Sequence, residues 1–308
     1  MTDRLMLLDS ASLYFRAFYG VPDKVRSPDG TPVNAVRGLL DIITKLVTIY
    51  EPTHLVACWD DDWRPQWRVD LIPSYKAHRV AEQVATGPDV EEVPDPLETQ
   101  VPIIRDALAA FGLAVVGAPE HEADDVIATL ATTAAIPVDI VTGDRDLFQL
   151  VDDARDVRVI YTARGMSNLE VVTDEVVVAK YGVLPIQYAD FATLRGDSSD
   201  GLPGVAGIGE KSAATLLAAH GDLTGIAAAA AAGTGMSAGV AAKLTAAHDY
   251  LAVAPTVVKV VTDLELAVGD TRLHPLDAQQ KADADALATR WGLGAAVERL
   301  AAALERTA

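Results

Sequence analysis

The chain has a single cysteine and is poor in positive charge. Lys and Arg number 25 against 44 Asp and Glu, a formal net charge of −19. One thiol excludes an internal disulfide framework and suits a reducing compartment. Cys58 lies within the apolar run HLVACW and reads as a small buried hydrophobe, not a nucleophile. Long apolar runs are also missing. LMLLD near the start is too short for a signal peptide or a membrane span and ends in a charge, so no membrane partner is expected. The acidic balance taken alone argues against a polyanionic partner. A chain this acidic binds nucleic acid only through local basic patches, with steep salt dependence.

Acids are present in abundance, and their placement is not random. Asp9 closes LMLLD and Asp60 closes HLVACWD. Glu122, Asp124 and Asp125 sit in EHEADD, Asp144 and Asp146 in VTGDRD, Asp197 and Asp200 in LRGDSSD. These acids recur where predicted strands and loops end, with no Cys/His set beside them. In an open α/β sheet the carboxyl ends of the strands converge on one crevice. Carboxylates gathered there repel one another unless cations neutralise them. Oxygen-only donors select hard divalent cations, Mg²⁺ or Mn²⁺, and a carboxylate cage holding two or more of them suits phosphodiester hydrolysis.

The 308 residues allow one large domain or two small ones. Apolar patterning predicts strands at 5–8, 54–59, 113–117, 137–143 and 157–161. Helices are predicted at 35–49, 98–111 and 122–133. This alternation implies an α/β core with a mostly parallel sheet flanked by helices. From about Thr173 the chain reads as almost wholly helical. The expected division is therefore 1–172 for the core and 173–308 for a helical subdomain. Residues 80–97 are polar, acidic and Pro-containing, and read as a mobile loop or loosely ordered cap.

Within EADDVIATLA one acid would be explained by helix capping or the helix dipole, but three within four residues exceed that need, which favours ligands. Asp144 and Asp146 read equally as ligands or as a cap and a solvated neighbour. In GDSSDGLPGVAGIGEKSA, Gly204, Gly207 and Gly209 punctuate a hairpin between helices. Its backbone N–H groups and the following helix N-terminus suit a phosphate, with Lys211 adding a charge. The alternative is a plain turn between packed helices. SYKAHR groups Tyr75, Lys76, His78 and Arg79, which suits base stacking plus phosphate contact or else an ordinary exposed helix start. Arg64 and Arg68 in DWRPQWR read as a solvated loop.

Taken in order, LMLLDSASLYFRAFYG, YKAHR, EADDVIATLA, VTGDRDLFQLV and LRGDSSDGLPGVAGIGEKSA resemble the motifs of the 5′-nuclease (flap endonuclease) superfamily. Within it, the nearest resemblance is to the bacterial 5′→3′ exonuclease domain that begins many DNA polymerase I chains. It spans about residues 4 to 290, and with no polymerase domain following, a free-standing nuclease is expected. The resemblance implies a PIN-like core, a helical arch at about 70–100 and a helix–hairpin–helix element at about 190–220. It implies one metal group from Asp9, Asp60, Glu122, Asp124 and Asp125, and another from Asp144, Asp146, Asp197 and Asp200. Lys76 and Arg79 match residues near the scissile phosphate, Arg16 an active-site arginine and Tyr75 a base-stacking residue. A K⁺ ion at the hairpin is also implied. The implied function is metal-dependent hydrolysis of DNA at 5′ flaps and 5′ ends in replication and repair. Implied partners are DNA, RNA–DNA hybrid, and a polymerase or sliding clamp, for a monomer in the nucleoid-associated cytoplasm. Beside Asp60, WDDDWRPQW adds Asp61 and Asp62, and the strand end favours Asp60. A PIN-type ribonuclease is disfavoured by the hairpin, and a non-catalytic DNA-binding protein by the presence of every acid.

Overall fold

The computed structural model describes residues 3–82, 84 and 89–306. Gln83 and 85–88, inside the acidic stretch 80–97, lie outside the described residues. The chain runs β1 (Leu5–Asp9), α1 (Ser10–Gly20), α2 (Asn34–Tyr50), β2 (His54–Cys58) and α3 (Gln66–Leu71). It continues with β3 (Val80–Glu82), β4 (Val90–Glu91), α4 (Asp95–Glu98), α5 (Val101–Ala110), β5 (Ala114–Val116) and α6 (Ala123–Thr133). Then come β6 (Val138–Thr142), β7 (Val157–Tyr161), β8 (Glu170–Val172), α7 (Asp174–Tyr181), α8 (Tyr188–Arg195), α9 (Glu210–His220) and α10 (Leu223–Ala232). Last are α11 (Ala238–Ala246), α12 (His248–Val258), α13 (Ala278–Trp291) and α14 (Gly294–Leu304).

The sheet order is β5-β2-β1-β6-β7-β8. All pairs are parallel except β7–β8. The continuous apolar run LMLL suits a central strand covered on both faces. Alternate residues serve opposite layers. Met6 and Leu8 pack with α1, α2, α5, α13 and α14, whereas Leu5 and Leu7 pack with α6 and the helices that follow β8. A third, smaller cluster joins Ile72 and Tyr75 to α8 and α12 through Ala189, Leu202, Ala254 and Val257.

Two expectations are corrected. Residues 80–97 are not wholly irregular, and among the described residues the segment expected as a helical arch is built otherwise: β3 and β4 form an antiparallel pair with Val80 opposite Glu91, and the four-residue α4 follows. Nor is the chain after 173 helical throughout. Between α12 and α13 it is extended and returns to the core, where Leu55 N–H donates to Thr271 O (2.8 Å) and Leu273 N–H to Thr53 O (2.8 Å). Helices α13 and α14 then pack on α5 and α2, burying Leu287, Val297 and Leu300 with the α/β core. The cause lies in composition. The face Val297–Leu300–Leu304 needs apolar cover, and α2 offers it.

Leu300 is fully buried in that contact. Leu300→Ala is expected to cost roughly 2–5 kcal/mol of unfolding free energy. Urea denaturation checks this; a loss under 1 kcal/mol would mean that α14 contributes little to the core.

Candidate active site

Parallel pairing puts the carboxyl ends of β1, β2, β5 and β6 on one edge, and a cleft of about 510 Å³ opens there. Asp9, Asp60, Glu122, Asp124, Asp144 and Asp197 line it, with Lys76 and Arg79 on its wall. Asp60 is thus the acid of WDDDWRPQW that faces the cleft. Asp61 pairs with Arg105 (3.3 Å), and Asp62 accepts the N–H of Arg64 (3.0 Å). Asp146 and Asp200 line an adjoining crevice together with Glu122 and Asp124.

Each acid is held by its local fold. Asp9 ends β1 and caps α1: its Oδ1 accepts Ser12 N–H (3.0 Å) and its Oδ2 the Thr142 hydroxyl (2.6 Å). Asp60 accepts Ala123 N–H at the start of α6 (2.8 Å). Glu122 accepts the Tyr75 hydroxyl (2.6 Å) and Arg68 Nη1 (3.0 Å) on Oε1, and Lys76 Nζ on Oε2. Asp144 accepts Asp146 N–H (2.9 Å), while the buried Oδ1 of Asp146 has no hydrogen-bond partner. Asp197 accepts the N–H (2.8 Å) and hydroxyl of Ser199 and pairs with Arg195 (3.1 Å), and Asp200 pairs with Arg79 (3.2 Å).

Crowding shifts the titrations. Burial first, then Asp60, pushes Asp9 up to about 7. Burial pushes Asp60 up to about 6. Asp124 is raised well above the carboxylate range by burial and by Asp9 and Asp144, and Asp146 by burial and by Asp144, Asp200 and Asp197. Asp197 moves the other way: burial pushes it up, and the Ser199 hydrogen bonds with Arg195 outweigh that.

Among the described residues, no three Asp, Glu, His or Cys side chains converge closely enough to hold one cation. The reason is visible in the tethers, which draw Glu122 toward Arg68, Tyr75 and Lys76. The donor set nevertheless fits hard divalent cations. It is made only of oxygens, its members repel one another, and a buried Asp146 oxygen lacks a donor.

Three expected roles change. Asp125 does not face the cleft. It is fully buried, its two oxygens take a bidentate clamp from Arg68 (2.9 and 2.7 Å), and Oδ1 also accepts Val261 N–H (2.8 Å). Its Oδ2 further accepts Glu122 N–H (3.3 Å), a capping contact at the start of α6. Tyr75 is 4% exposed and packed against Ile72 and Ala189, so it offers no face for a base. Arg64 and Arg68 are not solvated. Arg64 is buried, donating to Tyr75 O (2.6 Å) and pairing with Asp89 (2.5 Å). Nothing in DWRPQWR distinguishes buried from solvated arginines, because their partners lie in distant segments. Arg16 lines a neighbouring cavity between α1 and α2, its Nη2 close to Gly143 at the cleft edge. Glu91, one of the acids of the stretch 80–97, lies on the cleft wall, and so does Arg145, which sequence reasoning passed over.

The glycine-rich segment is a hairpin between α8 and α9, as expected. Gly204 (φ +66°) and Gly207 (φ +74°) need the left-handed region, and a Cβ on Gly204 would lie 2.5 Å from Gly196 N. Gly209 precedes α9 with an ordinary φ of −96°, and it and Lys211 are exposed.

Comparison with known proteins agrees with this architecture. Residues 4–182 match the 5′-3′ exonuclease N-terminal resolvase-like domain, and residues 183–281 the 5′-3′ exonuclease C-terminal SAM fold. The chain is 60% identical over 296 residues to a 5′-3′ exonuclease of Streptomyces coelicolor, covering 96% of this chain and 98% of that protein. It is 45% identical over 223 residues to DNA polymerase I of Mycobacterium tuberculosis, covering 71% of this chain but only 23% of the polymerase. The fold is similar to that of the T5 D15 protein co-crystallised with metal ions, with a TM-score of 0.66 at 17% identity, covering 98% of this chain and 100% of that one. With both family domains matched in order along the chain, and the acids of both meeting at one strand edge, this protein belongs to the 5′-3′ exonuclease family.

Proposed function

We propose that the chain is a metal-dependent, structure-specific 5′-nuclease that hydrolyses DNA phosphodiester bonds at 5′ flaps and 5′ ends, in replication and repair. The observation that carries it is the lining of one cleft by Asp9, Asp60, Glu122, Asp124, Asp144 and Asp197, with Lys76 and Arg79 beside them. Asp9, Asp60, Glu122 and Asp124 would hold one cation and Asp144, Asp146, Asp197 and Asp200 another, with Mg²⁺ or Mn²⁺ the best chemical match. Bound there, such ions supply charge neutralisation at the phosphate and a water of lowered pKa. Lys76 and Arg79 orient the phosphate and offset its developing charge. The hairpin at Gly204, Gly207 and Gly209, with Lys211, would take the duplex backbone, with K⁺ as the ion it would hold against the phosphates. Shape rather than base identity then sets specificity.

In this reading the chemistry is done by residues of 1–172 together with Asp197 and Asp200, α13 and α14 complete the packing of that core, and the duplex is gripped by the helices from 173 to 258. RNA–DNA hybrid as a substrate, a polymerase or clamp as a partner, a monomeric state and a place at the nucleoid are parts of the same proposal. No described helix is long and apolar enough to cross a membrane.

The reading is tested with a labelled 5′-flap duplex, an RNA hairpin and a plain duplex, each in Mn²⁺ and in EDTA. Only the flap in Mn²⁺ is expected to be cut at the junction. Asp124→Asn should lower that rate by several orders of magnitude, about 4 kcal/mol or more in the barrier, while the metal-free protein gains stability. Asp125→Asn should instead cost roughly 3–5 kcal/mol of stability by breaking the buried Arg68 clamp. Equal behaviour of the two variants would refute the division between cleft and clamp.

The raised acids set a pH dependence. Asp9 at about 7 and Asp60 at about 6 bind protons more tightly in the folded chain than when unfolded near 3.8. In EDTA, stability should therefore fall as pH rises from about 4 to about 7, by on the order of a few kcal/mol, and stay low above that. Mn²⁺ should flatten the curve by replacing those protons. Thermal melts from pH 5 to pH 8 check this; a melting temperature that rises with pH in EDTA would contradict it.

A further inference from the structure

Three cations line the cleft: Lys76, Arg79 and Arg145. Two of them are committed. Lys76 Nζ donates to Glu122, and Arg79 pairs with Asp200 and donates to Ser199 O (2.7 Å). Arg145 forms no side-chain hydrogen bond, ion pair or ring contact among the described residues.

Its neighbours in sequence do not claim it, for a local reason. Asp144 turns back to accept Asp146 N–H (2.9 Å), and Asp146 begins a 3-10 turn that sends its carboxylate into the adjoining crevice. The guanidinium is left on the cleft wall beside Tyr161, at the end of β7, and Ser199. The Tyr161 hydroxyl likewise has no partner among the described residues, and its ring is fixed edge-on against Phe148, 5.1 Å between centroids. Asp197, the acid acting most directly on Arg145, is already held by Ser199 and Arg195. A partly buried cation and a fixed hydroxyl facing the same space, in a chain of net charge −19, form a place for an anion rather than a structural contact.

We propose that Arg145, assisted by the Tyr161 hydroxyl, binds a backbone phosphate of the substrate strand on the duplex side of the cleft. The side follows from neighbours. Arg145 shares its wall with Tyr161, at the end of β7, and with Asp197, which opens the loop into the hairpin at 203–209, whereas Lys76 and Arg79 belong to the segment that leads into β3. Arg145 is thus a binding residue: it holds the duplex end at the cleft and takes no part in the reaction. The inference rests on the nuclease reading above.

The test is single-turnover cleavage of a 5′-flap duplex in Mn²⁺ across enzyme and salt concentrations, giving a half-saturating concentration and a plateau rate. Arg145→Gln is expected to raise the half-saturating concentration about tenfold and lower the log–log salt slope by about 0.9, the signature of one lost phosphate contact. The plateau should stay within about threefold, as for a group that binds without reacting. Arg145→Lys should recover the salt slope, and Tyr161→Phe should weaken binding without changing it. A methylphosphonate at the contacted phosphate should weaken the parent and leave Arg145→Gln indifferent. Neither the Arg145 guanidinium nor the Tyr161 hydroxyl has a hydrogen-bond partner among the described residues, and Tyr161→Phe keeps the ring against Phe148, so Arg145→Gln and Tyr161→Phe should melt as the parent does. Parental affinity and salt slope in Arg145→Gln would overturn the proposal, as would a plateau loss with unchanged half-saturation. A parent chain that left flap DNA uncut would instead overturn the nuclease reading itself.

Discussion

The site is assembled around one buried cation, Arg68. Its guanidinium clamps Asp125, donates to Glu122 and to Val257 O (3.2 Å), and stacks 4.4 Å from the Trp67 ring centroid. Glu122 and Asp125 stand on the first turn of α6, both buried. Without a cation between them, that turn would carry two desolvated charges of the same sign, which repel each other. Arg68 removes this conflict and fixes α3, α6 and the end of α12 to one another. Asp125 extends the tie to Val261, where the chain leaves the helical part and starts back toward the core. The two parts of the molecule are therefore joined beside the adjoining crevice, through one buried ion-pair group.

The net charge of −19 looks hostile to a nucleic-acid ligand, but the distribution matters more than the sum. Much of the acid is internal to the site or tied up in pairs, as with Asp139, which is fully buried between Arg4 and Arg158. Basic side chains are few, and most near the cleft already hold a carboxylate. Affinity for a polyanion in such a chain depends on cations brought in and on the small number of uncommitted donors. That dependence makes binding responsive to salt and to divalent ions.

How far the sequence revealed this depended on the range of each interaction. The central strands were legible because LMLL and VDIV carry their own signal, and the acids at strand ends because topology alone brings them together. The hairpin was legible because Gly204 and Gly207 answer a local backbone demand. Asp125 was misread because EADD does not record which acid faces the cleft; that is set by Arg68, 57 residues away. Tyr75 looked like a surface aromatic among cations, yet its burial depends on Ala189 and Leu202, far along the chain. The return of α13 and α14 to the core was hidden because amphipathic helices show that they need a partner, not which one.

Lys76 shows how these long-range contacts bear on function. It is one of the few non-glycine residues with positive φ (48°). A left-handed backbone at a lysine is retained only where its surroundings over-determine it. Here they do. Lys76 N–H donates to Asp200 O (2.9 Å), the Ser74 hydroxyl donates to Gly201 O (2.8 Å), and Arg79 reaches Ser199 O (2.7 Å). The approach is so close that a Cβ on Gly201 would lie 2.1 Å from Ser74 O, so only glycine fits there. The segment that carries Lys76 and the loop that leads into the hairpin thus form one unit, and neither can shift without the other. On the proposed function, a duplex seated on the hairpin would act, through Gly201 and Asp200, on the backbone that aims Lys76 at Glu122. Placement of the cleft lysine and the geometry of the loop before the hairpin are in this way parts of a single mechanical contact.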